Sequence, residues 1–489
     1  MRKFMLLLVG LFYYSCAVGQ LHFNNRFDLD LVDAADGIQP LHNGYIIACT
    51  TIDIDSNLVR VQTLAIDSLG NILSNYSFFK PFYFYYGCWN GGFCQRNQFE
   101  YALAGTVIDT TGNYDLTLYK FNEFGDTLMM KRYINPNVEI GRSAKSIQDA
   151  GFIVVGQSRD TSTSNHNIFL MKTDSVGNVQ WQRYFDQSNY DEAVSIIQTK
   201  DNGFFFGGAF QGNGSDVLVI KTDTMGIEQW RKTLVGQYSQ SVWDVIETQD
   251  TNYVITGSWQ VNGSGYQYWL MKMGRDSGNT VWQRFYGAPV FGKGFRSIIE
   301  LNDGSLVCAG LRTFNFAAEP YYGTIFKFSA NGDSLWERNY LPPNVVNGWG
   351  YLNDIIATSD GGFIAVGEAG GDGLTQDTWI LKVDSIGCEV WNCLATDILE
   401  QRLKEPALVA YPNPVSGNHI QLKFTEPLNQ EALLQIFNSV GELIFEKEVQ
   451  TGIPDEQLIV GDYASGLYLV KVTGKNILLQ TRFTVLHQN

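Results

Sequence analysis

The sequence predicts an all-β protein, a seven-bladed β-propeller of four-stranded blades followed by a small C-terminal β-sandwich. Aromatic residues make up 14% of the 489 residues and glycine occurs 49 times, as is typical of short strands joined by tight turns. One motif recurs seven times at intervals of about 50 residues. The composition then changes near residue 400, which indicates a second domain.

The overall composition narrows the classes of function. Hydrophobic residues make up 45% of the chain, enough for a large core. The net charge is −16 and basic residues form no dense cluster, so we expect no nucleic-acid partner and no anionic membrane surface. No later segment has the roughly 18 continuous apolar residues of a membrane-spanning helix. We therefore predict no transmembrane segment, and we expect a monomer.

The first 19 residues read as a secretory signal peptide. Two basic residues precede an apolar run that ends at Tyr14, and small residues follow at positions 17 and 19. We predict cleavage before Gln20. The mature protein is then exported across the inner membrane and is either secreted or attached to the outer surface.

Six cysteines remain after the signal peptide. Two pairs are close in sequence and predict local disulfides in an oxidising compartment: Cys88 with Cys94, and Cys388 with Cys393. A strand between the members of the second pair would hold them apart. Cys49 and Cys308 lie within apolar strands, so we expect buried free thiols there.

The repeats carry a turn glycine followed four residues later by a tryptophan. The five complete pairs are Gly177 and Trp181, Gly226 and Trp230, Gly278 and Trp282, Gly332 and Trp336, and Gly387 and Trp391. Two earlier copies keep the turn at Gly70 and Gly125 but lack the tryptophan. Glycine allows a positive φ in the turn, and a flat indole suits packing between neighbouring blades.

Each repeat contains four strand-like segments separated by turn residues. Four-stranded antiparallel units at this period are typical of propeller blades, and seven of them would form residues 20–398. The segment CEVWNCL from 388 to 394 is expected to provide the outer strand of the last blade. The N-terminal segment LHFNNRFDLD could instead add a strand there.

The repeat motif DxxGxxxW resembles the docking motif of quinoprotein-like propellers and of lipoprotein-type propellers in secreted bacterial proteins. This resemblance covers about residues 25–398 and implies a fold rather than an activity. Quinoprotein dehydrogenases also carry an adjacent cysteine pair and calcium ligands, which the chain lacks. We therefore predict no cofactor. A calcium ion would best suit the Asp-containing loop at 211–216, although no twelve-residue calcium loop is present.

A linker at 399–408 precedes a tail, residues 409–489, with its own motifs. These are the YPNP motif, a Val-Gly turn and a GLYxVKV strand, with Tyr411, Pro412, Asn413, Pro414, Gly441, Gly466, Leu467, Tyr468 and Lys471. The tail closely resembles the C-terminal sorting domain of type IX secretion in Bacteroidetes. The resemblance implies a small β-sandwich that is recognised by the outer-membrane translocon and is often cleaved off. Alternating strands between Gly and Pro turns independently predict such a sandwich.

No catalytic constellation is visible. The histidines are scattered, and the sequence contains no GxSxG, HExxH or P-loop motif. We therefore predict no catalytic residues and no metal ligands. The loops at equivalent positions of the repeats would crowd one face of a propeller, and their aromatic residues would suit sugar stacking. These candidate ligand residues are Trp259, Tyr266, Tyr268, Phe314, Tyr321 and Tyr322.

The leading hypothesis is a secreted or surface-attached module that binds glycans or protein partners without catalysis. Two alternatives stay open: a propeller enzyme, either a quinoprotein-like oxidoreductase or a glycan hydrolase or lyase, and a structural surface protein. Carboxylates that converge with an arginine at the propeller axis would favour the enzyme.

Overall fold

The structure is a computed structural model that describes 22–29, 32–53, 58–78, 84–86, 92–108, 112–212, 214–261, 265–290, 292–313, 321–343, 348–371, 376–389, 408–415, 417–424, 428, 430–438, 442–474 and 477–486. The chain divides into two compact units, residues 1–394 and 395–489. The described residues form an all-β fold, as predicted, with antiparallel sheets and no helix. The predicted signal peptide and the linker up to residue 407 lie outside the described residues.

The first unit contains twenty-nine strands among its described residues. The first fourteen are β1 (Phe23–Phe27), β2 (Val32–Leu41), β3 (Gly44–Asp53), β4 (Leu58–Asp67), β5 (Ile72–Phe78), β6 (Phe84–Tyr86), β7 (Phe93–Asn97), β8 (Glu100–Ile108), β9 (Tyr114–Asn122), β10 (Thr127–Tyr133), β11 (Val138–Ser146), β12 (Phe152–Arg159), β13 (His166–Thr173) and β14 (Val179–Phe185). The next fifteen are β15 (Asp191–Gln198), β16 (Phe204–Gln211), β17 (Ser215–Thr222), β18 (Glu228–Leu234), β19 (Gln240–Glu247), β20 (Tyr253–Gln260), β21 (Tyr266–Met273), β22 (Thr280–Val290), β23 (Lys293–Glu300), β24 (Leu306–Arg312), β25 (Tyr322–Phe328), β26 (Ser334–Tyr340), β27 (Trp349–Ala357), β28 (Phe363–Gly370) and β29 (Asp377–Val383).

These strands form seven sheets among the described residues, in which consecutive strands pair except that β6 pairs with β8 and β1 with β29. Six sheets have four strands, and in the second sheet both β6 and β7 pair with β8. The two middle strands of a sheet are buried on both faces, which is why segments such as β16, with Phe204, Phe205 and Phe206, read as continuous apolar runs.

The sheets pack face to face in sequence order through shared hydrophobic clusters. Their first strands β2, β7, β11, β15, β19, β23 and β27 contact one another in this order, and β27 also contacts β2. One cluster joins Ile38 and Ile47 of the first sheet to Ile364 and Ile380 of the last. The first strands therefore surround a common axis.

The turn glycines and the repeat tryptophans meet between neighbouring sheets. Gly226 has a φ of 73°, and a Cβ atom there would lie 2.7 Å from the ring of Trp181 in the preceding sheet. Three further pairs share this arrangement: Trp230 with Gly278, Trp282 with Gly332, and Trp336 with Gly387. Glycine therefore has two roles here: it adopts the positive φ of its own turn, and it leaves room for the indole ring of the preceding sheet. Trp391 lies outside the described residues.

Where an aspartate opens the turn, its carboxylate is also occupied. Asp174 Oδ1 accepts the backbone N–H groups of Val176, at 3.0 Å, and Asn178, at 2.8 Å, ahead of Gly177. The same pair of bonds recurs at Asp223 and at Asp384. These aspartates close their own turns, so they do not converge on a ligand.

The N-terminal strand β1 completes the last sheet, whose order is β27-β28-β29-β1. β1 pairs antiparallel with β29, with Phe23 opposite Lys382 and Phe27 opposite Thr378. This corrects the expectation that CEVWNCL fills the place beside β29. Asn24 fixes the junction, since its Oδ1 accepts the indole N–H of the buried Trp379 at 2.7 Å and its Nδ2 donates to Leu341 O at 3.0 Å. A strand from the other end of the unit therefore joins the first and last repeats.

The cysteines differ in part from the prediction. Cys94 carries a free thiol that is buried with Ala102, Leu116 and Phe152 between the second and third sheets. The proposed disulfide with Cys88, which lies outside the described residues, is therefore corrected, because the Cys94 side chain belongs to the core. Cys388 is disulfide-bonded, and Cys393 lies outside the described residues. Cys49 and Cys308 are buried free thiols, as expected.

The second unit contains two antiparallel sheets around one hydrophobic cluster. Its strands are β30 (Leu408–Tyr411), β31 (His419–Phe424), β32 (Ala432–Asn438), β33 (Leu443–Val449), β34 (Asp455–Ile459), β35 (Gly466–Gly474) and β36 (Ile477–Val485). One sheet has the order β30-β31-β34 and the other the order β33-β32-β35-β36. Buried and exposed side chains alternate along these strands, so each sheet presents one face to the shared core.

Candidate functional site

The first strand of every sheet in the first unit carries a one-residue bulge. The strand pairing skips one residue in each, and these residues are Asp36, Arg96, Arg142, Val194, Trp243, Arg296 and Asn353. A bulge re-aims the side chain of its extra residue. Contacts bring together the bulge residues around Arg296, which lies near Trp243, bonds to Asn353 and feels the charge of Asp36. Arg96 instead lies beside the β11–β12 turn, where it bonds to Ala150 O. The region around Arg296 is the candidate functional site.

The residue after the bulge forms hydrogen bonds between sheets. At this position, two aspartates each link their own sheet to the sheets before and after it. Asp244 Oδ1 accepts the Ser195 hydroxyl of the preceding sheet at 2.8 Å, and its Oδ2 accepts the N–H of Ile298 in the following sheet at 3.0 Å. Asp354 repeats this pattern with Ser297 at 2.9 Å and Ile38 at 3.0 Å.

Both residues are partly buried, and desolvation of their carboxyls raises the pKa of Asp354 to about 6 and also raises that of Asp244. The positive charge of Lys145, in the third sheet, lowers the pKa of both carboxyls and so opposes the rise. The hydrogen bonds of these two aspartates hold the sheets together, which is a structural role.

Arg296 forms the centre of an aromatic stack. Its guanidinium carbon lies 5.0 Å from the ring centroid of Trp243 and 4.6 Å from that of Tyr351. The ring of Trp349 then stacks on Tyr351 at 5.5 Å with an interplanar angle of 18°. Stacking on aromatic faces is a favourable environment for a guanidinium group, because each ring presents negative charge density to the cation.

Polar groups fix the edge of this stack. Arg296 Nη1 donates to Asn353 Oδ1 at 2.9 Å, and Asn353 Nδ2 donates to Ala35 O at 2.9 Å. Asn353 is 5% exposed, so its amide is held by these two bonds. The arginine, in the sixth sheet, is therefore held against the seventh, and Asn353 joins the seventh sheet to the first.

Two buried carboxyls stand beside the stack. Burial raises the pKa of Asp36 to about 7, and the charge of Glu368 adds to the rise. A 2.5 Å hydrogen bond from the Thr50 hydroxyl opposes it. Burial also raises the pKa of Glu368, which accepts a hydrogen bond from Gln376. Carboxyls with raised pKa values beside an arginine are a common feature of functional sites.

The structure brings only part of the predicted ligand loops to this site. Tyr321 accepts the backbone N–H of Gly350 at 3.0 Å, one residue before Tyr351, and Tyr322 begins β25. Trp259 and Tyr266 belong to the fifth sheet, where the Trp259 ring lies 5.4 Å from that of Trp269.

Tyr268 is a correction. It is fully buried and stacks on Phe295 at 4.5 Å, because alternation along β21 turns it into the core between the fifth and sixth sheets. Phe314 lies outside the described residues.

None of the sequence motifs pointed to the residues around Arg296, which form the axial site. Their signal is a four-residue pattern in the first strand of the repeats: an apolar residue, the bulge residue, a small or acidic residue, and a second apolar residue. The pattern appears as Ala35–Ile38, Val242–Val245, Phe295–Ile298 and Leu352–Ile355. Only the second position varies in chemistry, which is where a repeat protein can place function without disturbing its fold.

The comparisons with known proteins concern the two units separately. Residues 409–486 match the model of the secretion system C-terminal sorting domain. The tail is a sorting domain. It directs this protein through type IX secretion to the cell surface or beyond, so the secretion machinery is its partner.

Within the sorting domain, the YPNP motif connects its two ends. Asn413 Nδ2 donates to Arg482 O at 3.1 Å, and its Oδ1 accepts the N–H of Thr484 at 3.0 Å. Tyr468 is buried, stacks on Phe483 at 5.4 Å and donates its hydroxyl to Ala464 O at 2.8 Å. Both residues therefore stabilise the sorting domain.

The other motif residues of the sorting domain differ in exposure. Tyr411, Pro412 and Pro414 are exposed, as is Leu467, and Lys471 is partly buried. Gly466 has open space where a Cβ atom would lie. Gly441 lies outside the described residues.

The chain is also similar to several solved structures. The β-propeller domain of the Trilobed protease from Pyrococcus furiosus is 7% identical with a TM-score of 0.40, over 74% of this chain and 95% of that chain. A protein of unknown function from Dyadobacter fermentans is 11% identical with a TM-score of 0.40, over 62% and 100%. Sqt1 from Chaetomium thermophilum is 8% identical with a TM-score of 0.42, over 72% and 87%. No curated protein matches the chain.

Two further searches concern metals and membranes. In the described part of the chain, Asp28, Asp33 and Asp377 bring carboxylate oxygens within 4.8 Å of one another, where β1 joins the last sheet. Arg26 already pairs with Asp377 at 2.8 Å, and the group is remote in sequence from the 211–216 loop considered for calcium. No helix among the described residues has the length and apolar character needed to cross a membrane.

Proposed function

We propose that this protein is a surface-exposed seven-bladed β-propeller that binds an extracellular glycan or protein ligand at its axial site without catalysis. Residues 20–398 would form the propeller after removal of the signal peptide at 1–19. Residues 399–408 would link it to a β-sandwich sorting domain at 409–489. The protein would act as a monomer, either secreted or attached to the outer surface of a member of the Bacteroidetes.

The seven blades are supported by the packing of the first strands. β27 contacts β2, and β1 from the N-terminus completes the sheet that contains β27. A ring joined by strands from both ends of the chain leaves few exposed sheet edges, which protects a repeat protein from edge-to-edge association.

The observation that carries the binding role is the stack of Trp243, Arg296, Tyr351 and Trp349. Aromatic rings with a few fixed polar groups are the usual lining of small-molecule and saccharide sites. The sorting domain supports an extracellular ligand, because it exports the chain to where surface polymers and other cells are met.

Catalysis by a nucleophile is poorly supported in the described residues. Burial raises the pKa of each free thiol, and the Cys49 group therefore stays protonated at neutral pH. Burial likewise raises the pKa of Tyr351, which makes its hydroxyl a poor base. Asp244 and Asp354 already bridge the sheets.

One observation favours a glycan hydrolase as a second candidate. Asp36 and Glu368 are carboxyls beside Arg296 at the axis, and the raised pKa of Asp36, about 7, suits a general acid at neutral pH. The sequence-based criterion for an enzyme, carboxylates that converge with an arginine at the axis, is therefore met. A binding role remains the first proposal, because both carboxyls are engaged with protein groups.

Thermal unfolding of the mature full-length chain with a panel of soluble glycans tests the proposal. A ligand at 100 times its Kd stabilises a protein by about 2.7 kcal/mol, which a melting curve detects. We expect stabilisation by at least one glycan class and no release of reducing ends. Release of reducing ends that disappears in Asp36→Asn would establish the hydrolase instead. Unchanged melting curves with every glycan would leave a protein ligand or a structural role.

A further inference from the structure

We propose that the axial site recognises a carboxylate-bearing saccharide, such as a hexuronate unit, through the edge of the Arg296 guanidinium that carries Nε. This inference rests on the proposed binding function and specifies its ligand. It is carried by the position of Arg296 beside two aromatic rings, by its buried Nε without a hydrogen-bond partner among the described residues, and by the indole at the end of the stack.

Aromatic rings from both neighbouring sheets crowd the guanidinium, so its nitrogen atoms are the part that a ligand would meet. Its carbon lies 5.0 Å from the ring centroid of Trp243 in the fifth sheet and 4.6 Å from that of Tyr351 in the seventh. Along the edge, Nη1 donates to Asn353, whereas Nε is buried and has no hydrogen-bond partner among the described residues. A buried donor without a partner costs about 1–3 kcal/mol, and a ligand acceptor would recover that cost.

The protein's own carboxylates do not occupy this edge. Within the described part of the chain, no carboxylate oxygen lies within 4.0 Å of an Arg296 nitrogen, although Asp36 and Glu368 act on it at longer range. By contrast, Arg132, Arg231 and Arg312 all form ion pairs at shorter distances. The fork of donors on Arg296 is therefore held in place, with Nε unused. A carboxylate of a ligand fits such a fork with two parallel hydrogen bonds.

A sugar ring is favoured over a bare anion because of the end of the stack. Trp349 is partly buried, stacks on Tyr351 and fills the space that a side chain at Gly370 would need. An indole that is rigidly backed on one side provides a platform for a sugar ring. A hexuronate joins the two features, because it carries its carboxylate beside a ring with stacking faces.

The neighbouring carboxyls make the charge preference depend on pH. Asp36 faces Thr50 and Cys49 of β3, Glu368 of β28 and Arg296 of β23. When Asp36 and Glu368 are ionised, they repel an incoming carboxylate. When they are protonated, Arg296 remains the dominant charge. Binding of an acidic saccharide should therefore strengthen as the pH falls from 8 to 5.5, and binding of a neutral saccharide should not change.

Calorimetric titration of the mature full-length chain with methyl glucuronide, methyl glucoside and acetate tests the inference. The variants are Arg296→Met, Arg296→Lys and the control Arg284→Met. Arg284 also lies over a tryptophan, at 5.9 Å from Trp282, but belongs to the outer strand β22. A hydrogen bond to a charged group contributes about 1.5–3 kcal/mol, so we expect roughly a 10- to 100-fold loss of glucuronide affinity in both Arg296 variants and none in Arg284→Met.

The outcomes separate the inference from the proposed function. Equal binding of glucoside and glucuronide would overturn the charge preference and leave the binding function standing. Binding of acetate as tight as that of glucuronide would overturn the role of the sugar ring. Failure of all three probes would overturn this inference, while a protein ligand would remain open to the proposed function. Melting curves of each variant show whether a loss of affinity reflects a loss of folding, and Trp349→Ala offers a second route to the same site.

Discussion

Single residues at equivalent positions of the repeats take on different roles. The bulge residue is Val194 in the fourth sheet, Trp243 in the fifth, Arg296 in the sixth and Asn353 in the seventh. The residue that follows it is a serine or an aspartate that bonds to neighbouring sheets. A constant position that supports the fold thus lies next to a variable position that faces the axis.

Asp36 should make the stability of the protein depend on pH near neutrality. The unfolded carboxyl loses its proton near pH 3.8, whereas the folded one keeps it up to about pH 7. Between these values the folded state binds more protons, so stability falls as the pH rises. We expect the melting temperature to decrease by several degrees from pH 5 to pH 8 and this decrease to be smaller in Asp36→Asn.

The control for this prediction is Asp160→Asn. Asp160 is partly exposed, and hydrogen bonds from Ser162 lower its pKa, so it is ionised in both states throughout this range. Its replacement should leave the slope unchanged. Asp354, with a pKa of about 6, contributes in the same direction as Asp36, so a residual slope is expected. An unaltered slope in Asp36→Asn would contradict the assignment.

Replacement of a turn glycine should lower the stability of the protein more when a tryptophan ring packs against that glycine. Gly226 and Gly112 have φ values of 73° and 82°, but only Gly226 has a neighbour within 4 Å, the Trp181 ring. A left-handed backbone costs a non-glycine residue about 1–2 kcal/mol, and crowding adds about 1–3 kcal/mol. Chemical denaturation should therefore show a larger loss of stability for Gly226→Ala than for Gly112→Ala. Equal losses of stability in the two variants would show that the indole contact does not contribute.

At the scale of the element, β1 should contribute to stability through one side chain above the others. Asn24→Ala leaves the indole N–H of the fully buried Trp379 without its acceptor, which costs about 1–3 kcal/mol. The neighbouring Asn25 makes only a 3.4 Å bond to Gly70 O, so Asn25→Ala should cost less. Urea denaturation followed by tryptophan fluorescence measures both. A larger effect of Asn25→Ala would exclude Asn24 as the residue that fixes the junction.

The strands inside each repeat could be predicted from the sequence, but the partner of the last one could not. Apolar runs and turn residues are local signals, and they predict β16 and β17 as written. The placement of β1 beside β29 depends on chain segments more than 350 residues apart, for which periodicity gives no information. CEVWNCL matches the repeat motif, so the sequence favoured it, rather than β1, as the strand beside β29. The second sheet keeps the repeat turn at Gly125, but nothing in the repeat pattern predicts its fifth strand.

The axial site was missed for a related reason. A search for catalytic motifs looks for residues close in sequence, whereas Trp243, Arg296 and Tyr351 come from three sheets. The loops were favoured because binding residues often lie on loops. Tyr268 shows the limit of that rule, since a residue near a predicted loop can be the third residue of a strand and face the core.

At the scale of the whole molecule, the chain consists of a unit built from repeats and a C-terminal sorting domain. The sorting domain has its own hydrophobic cluster, and the first unit has a chain of clusters that run from sheet to sheet. Because each unit has a core of its own, removal of one is compatible with folding of the other. This organisation suits a tail that serves export and a first unit that acts afterwards.

The position of β29 has a mechanical consequence. A surface protein that is held by its C-terminal side transmits tension to the last strand before residue 390. β29 is hydrogen-bonded along one edge to β28 and along the other to β1, so a pull cannot peel it from a free edge. Both rows of bonds must instead shear together, and the N-terminal strand thereby bears part of any load that flow or motion applies to the anchored protein.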